Sequence, residues 1–314
     1  MITNVQSNDS PGNKKDTAAI SVKNLTKRYH KCTALNQLTL DIHAGQIIGL
    51  IGANGSGKTT FFRICNGLSD ATTGDFSVLG GNPLTDIRIK NEMIYSMHNL
   101  PVGDRERVKK ILSFYEIMYP HFDRTFAEKI LNLYQINIRK PLSSLSQGNK
   151  SLVHFACALA TRCQLTMLDE PFIGIDIEKR KTAYEILLRD YMEHPRTFII
   201  SSHNLSELEH ILSEMILIHN GELVFYEEMD AVRDMLLRVD GEKETLRTFL
   251  DGQEVLQISE GELGSFAIIE GSMQAPAAQE ALNMGLTPAP VQPEDVCVYL
   301  TSNRKEDDLE CLWN

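Results

Sequence analysis

The sequence lacks an apolar run long enough to cross a membrane. A spanning helix needs about 18 or more consecutive apolar residues, and no run in these 314 residues approaches that length. Residues 1–18 also lack the apolar stretch of a signal peptide, and their polar composition predicts a disordered tail. The six cysteines form no C-x-x-C pair and are interpreted as reduced thiols. We therefore expect a cytoplasmic protein that does not itself span a bilayer.

A surplus of positive charge is also missing, since the net charge is −11. Residues 230–314 contain 17 acidic and 6 basic side chains, whereas the first 229 residues carry 25 of each sign. This balance argues against a nucleic-acid partner, which proteins hold by neutralising its phosphates. The length suggests about two domains, and the change in composition places a boundary near residue 230.

What the sequence does contain is a complete phosphate-binding loop. Residues 52–59 match G-x-x-x-x-G-K-[ST], between a predicted strand at 46–51 and a predicted helix at 60–66. Such a loop directs backbone N–H groups at phosphate oxygens. Lys58 is predicted to contact the β- and γ-phosphates, and Thr59 to ligate Mg²⁺. The alternative is an ordinary glycine-rich turn. A match at all eight positions of the motif makes that alternative a poor explanation. The predicted nucleotide-binding residues are Gly52, Ala53, Asn54, Gly55, Ser56, Gly57, Lys58, Thr59 and Thr60.

Apolar runs alternate with helical patterns along the chain. Helical spacing covers residues 149–162, and the charged segment 88–133 is interpreted as largely helical, with a break at 101–103. Asn220–Gly221 favours a two-residue hairpin. The other predicted strands are residues 20–22, 38–42, 165–168, 197–201, 216–218 and 223–225. This order predicts an α/β sheet that binds its ligand at the carboxyl ends of the strands.

Two further clusters carry possible chemistry. The run LTMLDEP ends a predicted strand in Asp169, a candidate Mg²⁺ ligand, and Glu170, a candidate base that polarises water. A surface acidic pair is the alternative reading. The run LSQGN opens the helix at 149–162, and Ser146 with the Gly148 backbone could bind an anion there. A simple serine-capped helix start is the alternative.

Taken together, these motifs resemble the ATP-binding subunit of an ATP-binding cassette (ABC) transporter. The resemblance covers about residues 20–226 and rests on GANGSGKT, LSQGN, LDEP and the histidine of IISSH, in the family's order. It implies a P-loop α/β fold with a RecA-like core, an antiparallel β subdomain and a helical subdomain at about 88–160, all within residues 19–229. It also implies that Tyr29 stacks on adenine, with a structural strand-end tyrosine as the alternative, and that His203 positions the attacking water.

The resemblance further implies a head-to-tail dimer that holds two ATP molecules with Mg²⁺. Each subunit would cap its partner's ATP with the signature residues, and a loop would contact the other subunit. The implied signature residues are Ser146, Gln147, Gly148 and Asn149, and those of the interface loop are Gly174 and Asp176. The dimer, as a homodimer or heterodimer, would drive a separate membrane permease from the inner face of the membrane.

The sequence departs from the family pattern at the position that normally carries a Mg²⁺-binding glutamine. No glutamine lies between Asn66 and Tyr134. By register with Ile94–Tyr95, that position is His98, followed by Asn99. An amide oxygen suits Mg²⁺ better than an imidazole, so we predict Asn99 as the ligand, with His98 as the second candidate and Thr59 with Asp169 alone as the third possibility.

Residues 230–314 predict a small, acidic α+β accessory domain. Strands are predicted at 255–258 and 266–269, and helices at 276–285 and 293–300. The segment loosely resembles the C-terminal domain of drug- and antibiotic-efflux subunits, which favours an exporter. The alternative function is an ABC ATPase with a regulatory or assembly role. Because the permease would form the substrate pathway, the transported substrate is not encoded in this chain.

Overall fold

A computed structural model describes residues 18–30, 32–97, 105–261 and 264–302. The strands of these segments are β1 Ala18–Tyr29, β2 Cys32–His43, β3 Ile47–Ile51, β4 Thr73–Val78, β5 Met93–Met97, β6 Leu165–Asp169, β7 Thr197–Ser202, β8 Glu214–His219, β9 Glu222–Glu228, β10 Leu236–Gly241, β11 Val255–Gly261, β12 Gly264–Glu270 and β13 Thr287–Pro290. The helices are α1 Lys58–Cys65, α2 Ile87–Asn91, α3 Val108–Met118, α4 Arg124–Leu133, α5 Gln147–Ala160, α6 Ile177–Glu193, α7 Met229–Arg233, α8 Lys243–Phe249, α9 Pro276–Asn283 and α10 Pro293–Thr301.

The central sheet has the strand order β5-β6-β7-β3-β8-β9. Strands β5, β6, β7, β3 and β8 are parallel, and β9 returns antiparallel to β8. Every residue of β3 and β6 is buried, because both faces of the sheet are covered. On β3, Ile48 and Leu50 pack on one side of the sheet, and Ile47 and Ile51 on the other. The predicted α/β fold is therefore confirmed.

The two faces of the central sheet carry different layers. A second, antiparallel sheet with the order β2-β1-β4 shares a core with α1, in which Phe61 and Phe62 are fully buried. Helices α3, α4 and α5 share the other core with the central sheet, and α5 is buried along nearly its whole length. No helix among the described residues is both long and apolar enough to span a membrane.

A third sheet, with the order β11-β12-β10-β13, forms the C-terminal part. Its strand β10 faces two ways. Leu237 packs in a local cluster with α8 and α9, whereas Leu236 joins the large cluster that contains α5 and the central sheet. The same large cluster includes Ile268 and Val296. The acidic C-terminal part is thus attached to the rest of the chain through a shared apolar core.

The structure corrects several expectations about individual elements. The interpretation of 88–133 as largely helical is wrong at β5, which is a strand of the central sheet, buried except at its last residue. Strands β1 and β2 are twelve residues each, much longer than predicted, and β1 begins inside the predicted tail at Ala18. Helices α6 to α8 and strands β4, β10 and β13 were not predicted individually. The break at 101–103 and residues 1–17 lie outside the described segments.

Candidate functional site

The candidate site lies at the carboxyl edge of the central sheet. Strand β3 pairs with β7, and β7 pairs with β6, all in parallel. Their carboxyl ends therefore meet at one edge. The phosphate loop follows β3, Glu170 follows β6, and His203 follows β7. Motifs that are about 150 residues apart in the chain are brought together by this parallel order.

Close backbone packing explains two glycines of the loop. A Cβ on Gly52 would lie 2.3 Å from the carbonyl oxygen of Ile218, and one on Gly57 would lie 2.6 Å from that of Ala34. Gly57 also has a φ of 114° immediately before α1, which a side chain would strongly disfavour. The turn at Gly221 contacts the loop as well, because its N–H donates to the carbonyl of Ser56 at 2.9 Å.

Lys58 begins α1 and turns back into the loop. Its Nζ donates to the carbonyl oxygens of Gly52 at 2.5 Å and Ala53 at 3.1 Å. Burial lowers the pKa of this ammonium, and the negative charges of Glu170 and Asp169 act in the opposite direction. The loop therefore holds a desolvated cation, which suits it to binding an anionic ligand.

Asp169, at the end of β6, accepts three side-chain hydrogen bonds. Its Oδ2 accepts from Thr59 Oγ1 and from the Tyr95 hydroxyl, both at 2.8 Å, and its Oδ1 accepts from Ser201 Oγ at 2.6 Å. Burial, followed by the charge of Asp169, raises the pKa of Tyr95, so the phenol stays protonated and acts as a donor. The carboxylate is fixed by neighbours from three different elements, α1, β5 and β7.

Glu170 and His203 contact each other beside this carboxylate. His203 Nδ1 lies 2.9 Å and 3.0 Å from the two carboxyl oxygens of Glu170. A carboxylate can only accept here, so Nδ1 is the donor. Glu170 has a φ of 49°, in the left-handed region, and its backbone N–H donates to Ser201 Oγ at 3.0 Å. The pair has the geometry of an acid–base site whose backbone is held in place.

The LSQGN residues form the start of α5. Ser146 caps the helix and accepts from the N–H of Asn149 at 3.3 Å. A Cβ on Gly148 would lie 2.2 Å from the carbonyl oxygen of Gly174. The predicted signature and the predicted interface loop therefore touch within one chain. Asp176 in that loop caps α6 by accepting from the N–H of Lys179 at 3.0 Å.

The remaining predicted residues lie around the loop or apart from it. Gly55, Lys58, Thr59 and Thr60 line a cavity of about 150 Å³ together with Ala34, Asn54, Gly57, Asp169 and Glu170. Tyr29 lies near the end of β1, with 44% of its surface exposed and the Lys27 ammonium 4.9 Å from its ring. Among the described residues, no hydrogen bond or ring contact joins the Tyr29 side chain to another predicted site residue. His98 and Asn99 lie outside the described residues.

Two residues of this site were missed from the sequence alone. Ser201 belongs to the IISSH run that was already singled out, and Tyr95 to the Ile94–Tyr95 pair used for register. A hydroxyl two residues before the predicted histidine was a usable signal for Ser201. No local signal pointed to Tyr95, because it reaches Asp169 only through the pairing of β5 with β6.

The residues at this edge fit a triphosphate with Mg²⁺. Thr59 and Asp169 offer the oxygen ligands that Mg²⁺ prefers, and they lie within hydrogen-bond distance of each other. Among the residues that the structure describes, Ser56 Oγ is buried in the loop without a hydrogen-bond partner. The N-terminus of α1 follows directly and favours phosphate binding.

Comparisons with known proteins agree with this geometry. The family model described as "ABC transporter" matches residues 35–173. The uncharacterized ABC transporter ATP-binding protein YcbN of Bacillus subtilis is 31% identical over 225 residues, which cover 69% of this chain and 72% of that protein. The phosphonates import ATP-binding protein PhnC of Fusobacterium nucleatum is 28% identical over 234 residues, covering 68% and 94%.

A solved structure shows the same fold. The dimeric structure of the bacterial ABC transporter cassette MJ0796 superposes with a TM-score of 0.59 at 21% identity, covering 67% of this chain and 98% of that one. The family model, the relatives and the arrangement of the phosphate loop agree. The chain belongs to the ABC transporter ATP-binding proteins, and it is an ATP-binding ATPase.

Proposed function

We propose that this chain is the ATP-hydrolysing subunit of an exporter, in which two cassettes close head to tail around two ATP molecules and drive a separate membrane permease. The observation that carries the hydrolytic part is the contact of His203 with both carboxyl oxygens of Glu170, next to the phosphate loop. The chain would work in the cytoplasm, peripherally bound at the inner face of the membrane.

Each site residue has a proposed role. Lys58 and the loop N–H groups bind the phosphates, Glu170 accepts a proton from the attacking water, and His203 keeps Glu170 oriented toward it. Thr59 and Asp169 would hold Mg²⁺, which supplies charge neutralisation on the phosphates. Tyr29 would stack on the adenine. Asn99, or else His98, would provide the further Mg²⁺ contact.

The proposed dimer assigns a role to the second anion site. Ser146, Gln147, Gly148 and Asn149 would cap the ATP held by the partner subunit. Gly174 and Asp176 would contact that subunit, and the fit of Gly148 against Gly174 ties the two regions together. The formation of a dimer by the MJ0796 cassette supports this arrangement, which could be a homodimer or a heterodimer.

The hydrolytic role is tested with Glu170→Gln. We expect ATP binding to be retained and turnover to fall by at least about 10² to 10⁴, the contribution of a positioned base. The variant should also form a dimer when ATP is added, measured by size-exclusion chromatography with light scattering. Glu227→Gln, at an exposed end of β9, is the matched control. A Glu170→Gln variant that turns over ATP at the unaltered rate would refute the role.

Transport itself is tested in membranes. The tagged chain should co-purify with a multi-span protein after mild detergent extraction, and the complex should export a substrate from cells in an ATP-dependent manner. Export rests on the loose likeness of residues 230–314 to efflux subunits, whereas the name of the relative PhnC describes import. Uptake instead of efflux would refute the direction, and the absence of any membrane partner would favour the regulatory or assembly role.

A further inference from the structure

The carboxylate of Asp169 is held by two hydroxyl groups to which the sequence motifs assigned no role. They belong to Tyr95 on β5 and Ser201 on β7, the two strands that flank β6 in the sheet. Asp169 and Ser201 are register partners. Both hydroxyl-bearing residues are buried, with 6% of Tyr95 and none of Ser201 exposed. Hydroxyl groups from the two neighbouring strands therefore hold the carboxylate by hydrogen bonds from either side.

Within the part of the chain that the structure describes, the hydrogen bonds leave the carboxylate one lone-pair site without a donor. An ionised carboxylate has about four lone-pair sites. Thr59 and Tyr95 use those of Oδ2, and Ser201 uses one of Oδ1. The remaining site is on Oδ1. Because Thr59 Oγ1 donates its proton to Asp169, the lone pairs of that oxygen also remain available to bind a cation.

The rotation of this carboxylate is otherwise weakly restrained. The terminal torsion of an aspartate is broad, so its orientation depends on the groups that donate to it. Without the Tyr95 hydroxyl, Oδ2 would keep only Thr59, whose own oxygen is a proposed cation ligand. Partners of this kind orient a metal ligand without touching the metal, and their loss typically weakens metal binding by about 10-fold to 100-fold.

Ser201 has a second contact that Tyr95 lacks. Its oxygen accepts from the backbone N–H of Glu170 at 3.0 Å, while its proton goes to Asp169. Glu170 is in the left-handed region, with a φ of 49°, where a residue with a side chain needs support from its surroundings. One hydroxyl thus links the orientation of Asp169 to the backbone of Glu170.

We propose that Tyr95 and Ser201 are positioning residues for the nucleotide site: both orient Asp169 toward the divalent cation, and Ser201 also holds Glu170 in place for hydrolysis. This inference rests on the proposed role of Asp169 in holding Mg²⁺. The inference predicts different effects for the two hydroxyl groups. Tyr95 acts through the cation alone, whereas Ser201 acts through the cation and through Glu170.

The test measures how strongly the cation promotes nucleotide binding. The affinity of the full chain for the non-hydrolysable analogue AMP-PNP is measured by calorimetry with Mg²⁺ and again with EDTA. We expect Tyr95→Phe to reduce the ratio of the two affinities about tenfold, with the EDTA value unchanged and a smaller loss of turnover at saturating Mg²⁺ than in Ser201→Ala. Ser201→Ala should reduce the ratio similarly and also lower saturated turnover at least about tenfold.

Tyr191→Phe is the matched control, since its hydroxyl donates to the carbonyl oxygen of Gly45 at 2.7 Å, away from the site. It should leave the ratio unchanged. Asp169→Asn separates the two proposals. An unchanged ratio in Asp169→Asn would refute the cation role of Asp169 itself. A collapsed ratio in Asp169→Asn with an unchanged or increased ratio in Tyr95→Phe would overturn only the positioning role. Thermal unfolding of each variant checks that the fold is retained.

Discussion

At the scale of single residues, Lys58 carries the most direct consequence for ATP binding. Its ammonium is held by two carbonyl oxygens of the loop and has lost most of its contact with water. Burial lowers its pKa, while Glu170 and Asp169 favour its charged form. A bound triphosphate would add a stronger partner to a charge that is already desolvated, so little of its attraction would be screened by water.

We therefore predict that Lys58→Ala weakens ATP binding by roughly 100-fold or more, because a charged hydrogen-bond donor to phosphate is lost. Calorimetric titration of ATP into the variant measures the change. Lys129→Ala, on the exposed side of α4, should bind ATP as the unaltered chain does. An unchanged affinity in Lys58→Ala would mean that the loop binds its ligand in another way.

The residue scale also shows what the sequence could and could not predict. The loop residues and the Asp169–Glu170 pair were found because each motif is contiguous and its chemistry is local. Tyr95 was missed because its contact with Asp169 depends on strand register, which a single sequence does not specify. The contact between His203 and Glu170 was likewise hidden, although both residues were singled out, because their motifs are separated by a whole helix.

At the scale of elements, the sequence patterns predicted the buried parallel strands correctly but did not predict strand β5. Strands β3, β6 and β7 are short apolar runs bounded by polar residues, as expected when both faces are covered. Strand β5 lies directly after the charged helix α2, and five residues are too few to show a period of their own. The structure of β5 is decided by its burial beside β6, under the layers that cover the sheet. This is a tertiary effect.

Helix α5 offers a prediction at the same scale. Its first turn lies against the loop at Gly174, and the close approach is between backbone atoms, which cannot be relieved by a change of rotamer. We predict that Gly148→Ala forces the two segments apart and costs about 1–3 kcal/mol of unfolding free energy. ATP-driven dimerisation should be lost as well, because both segments belong to the proposed interface.

Chemical denaturation and light scattering measure the two effects of Gly148→Ala. Gln147→Ala is the control for stability, since Gln147 is exposed in the same turn and its loss should change the unfolding free energy by less than about 0.5 kcal/mol. A Gly148→Ala variant as stable as the unaltered chain would show that the helix and the loop can separate without cost.

At the scale of the whole molecule, composition and packing divide the chain differently. The charge changes near residue 230, and this suggested a separate acidic domain. In the structure, the residues on both sides of that position share a core. Met229, Val232 and Leu236 are buried together with residues of α5 and the central sheet. The distribution of charge along a segment reflects its exposed surface, whereas cooperative folding depends on its buried contacts.

The neighbouring residues Leu236 and Leu237 allow a test of this coupling. Both are almost fully buried, but Leu236 packs in the large cluster with the central sheet and Leu237 in the local C-terminal cluster. Either substitution by alanine should cost about 2–5 kcal/mol. If the shared core makes the chain one cooperative unit, each variant unfolds in a single calorimetric transition at a lower temperature, and AMP-PNP with Mg²⁺ raises the temperature of that whole transition. Two separate transitions, with Leu237→Ala shifting only the one that AMP-PNP does not affect, would show instead that the acidic part folds as an independent domain.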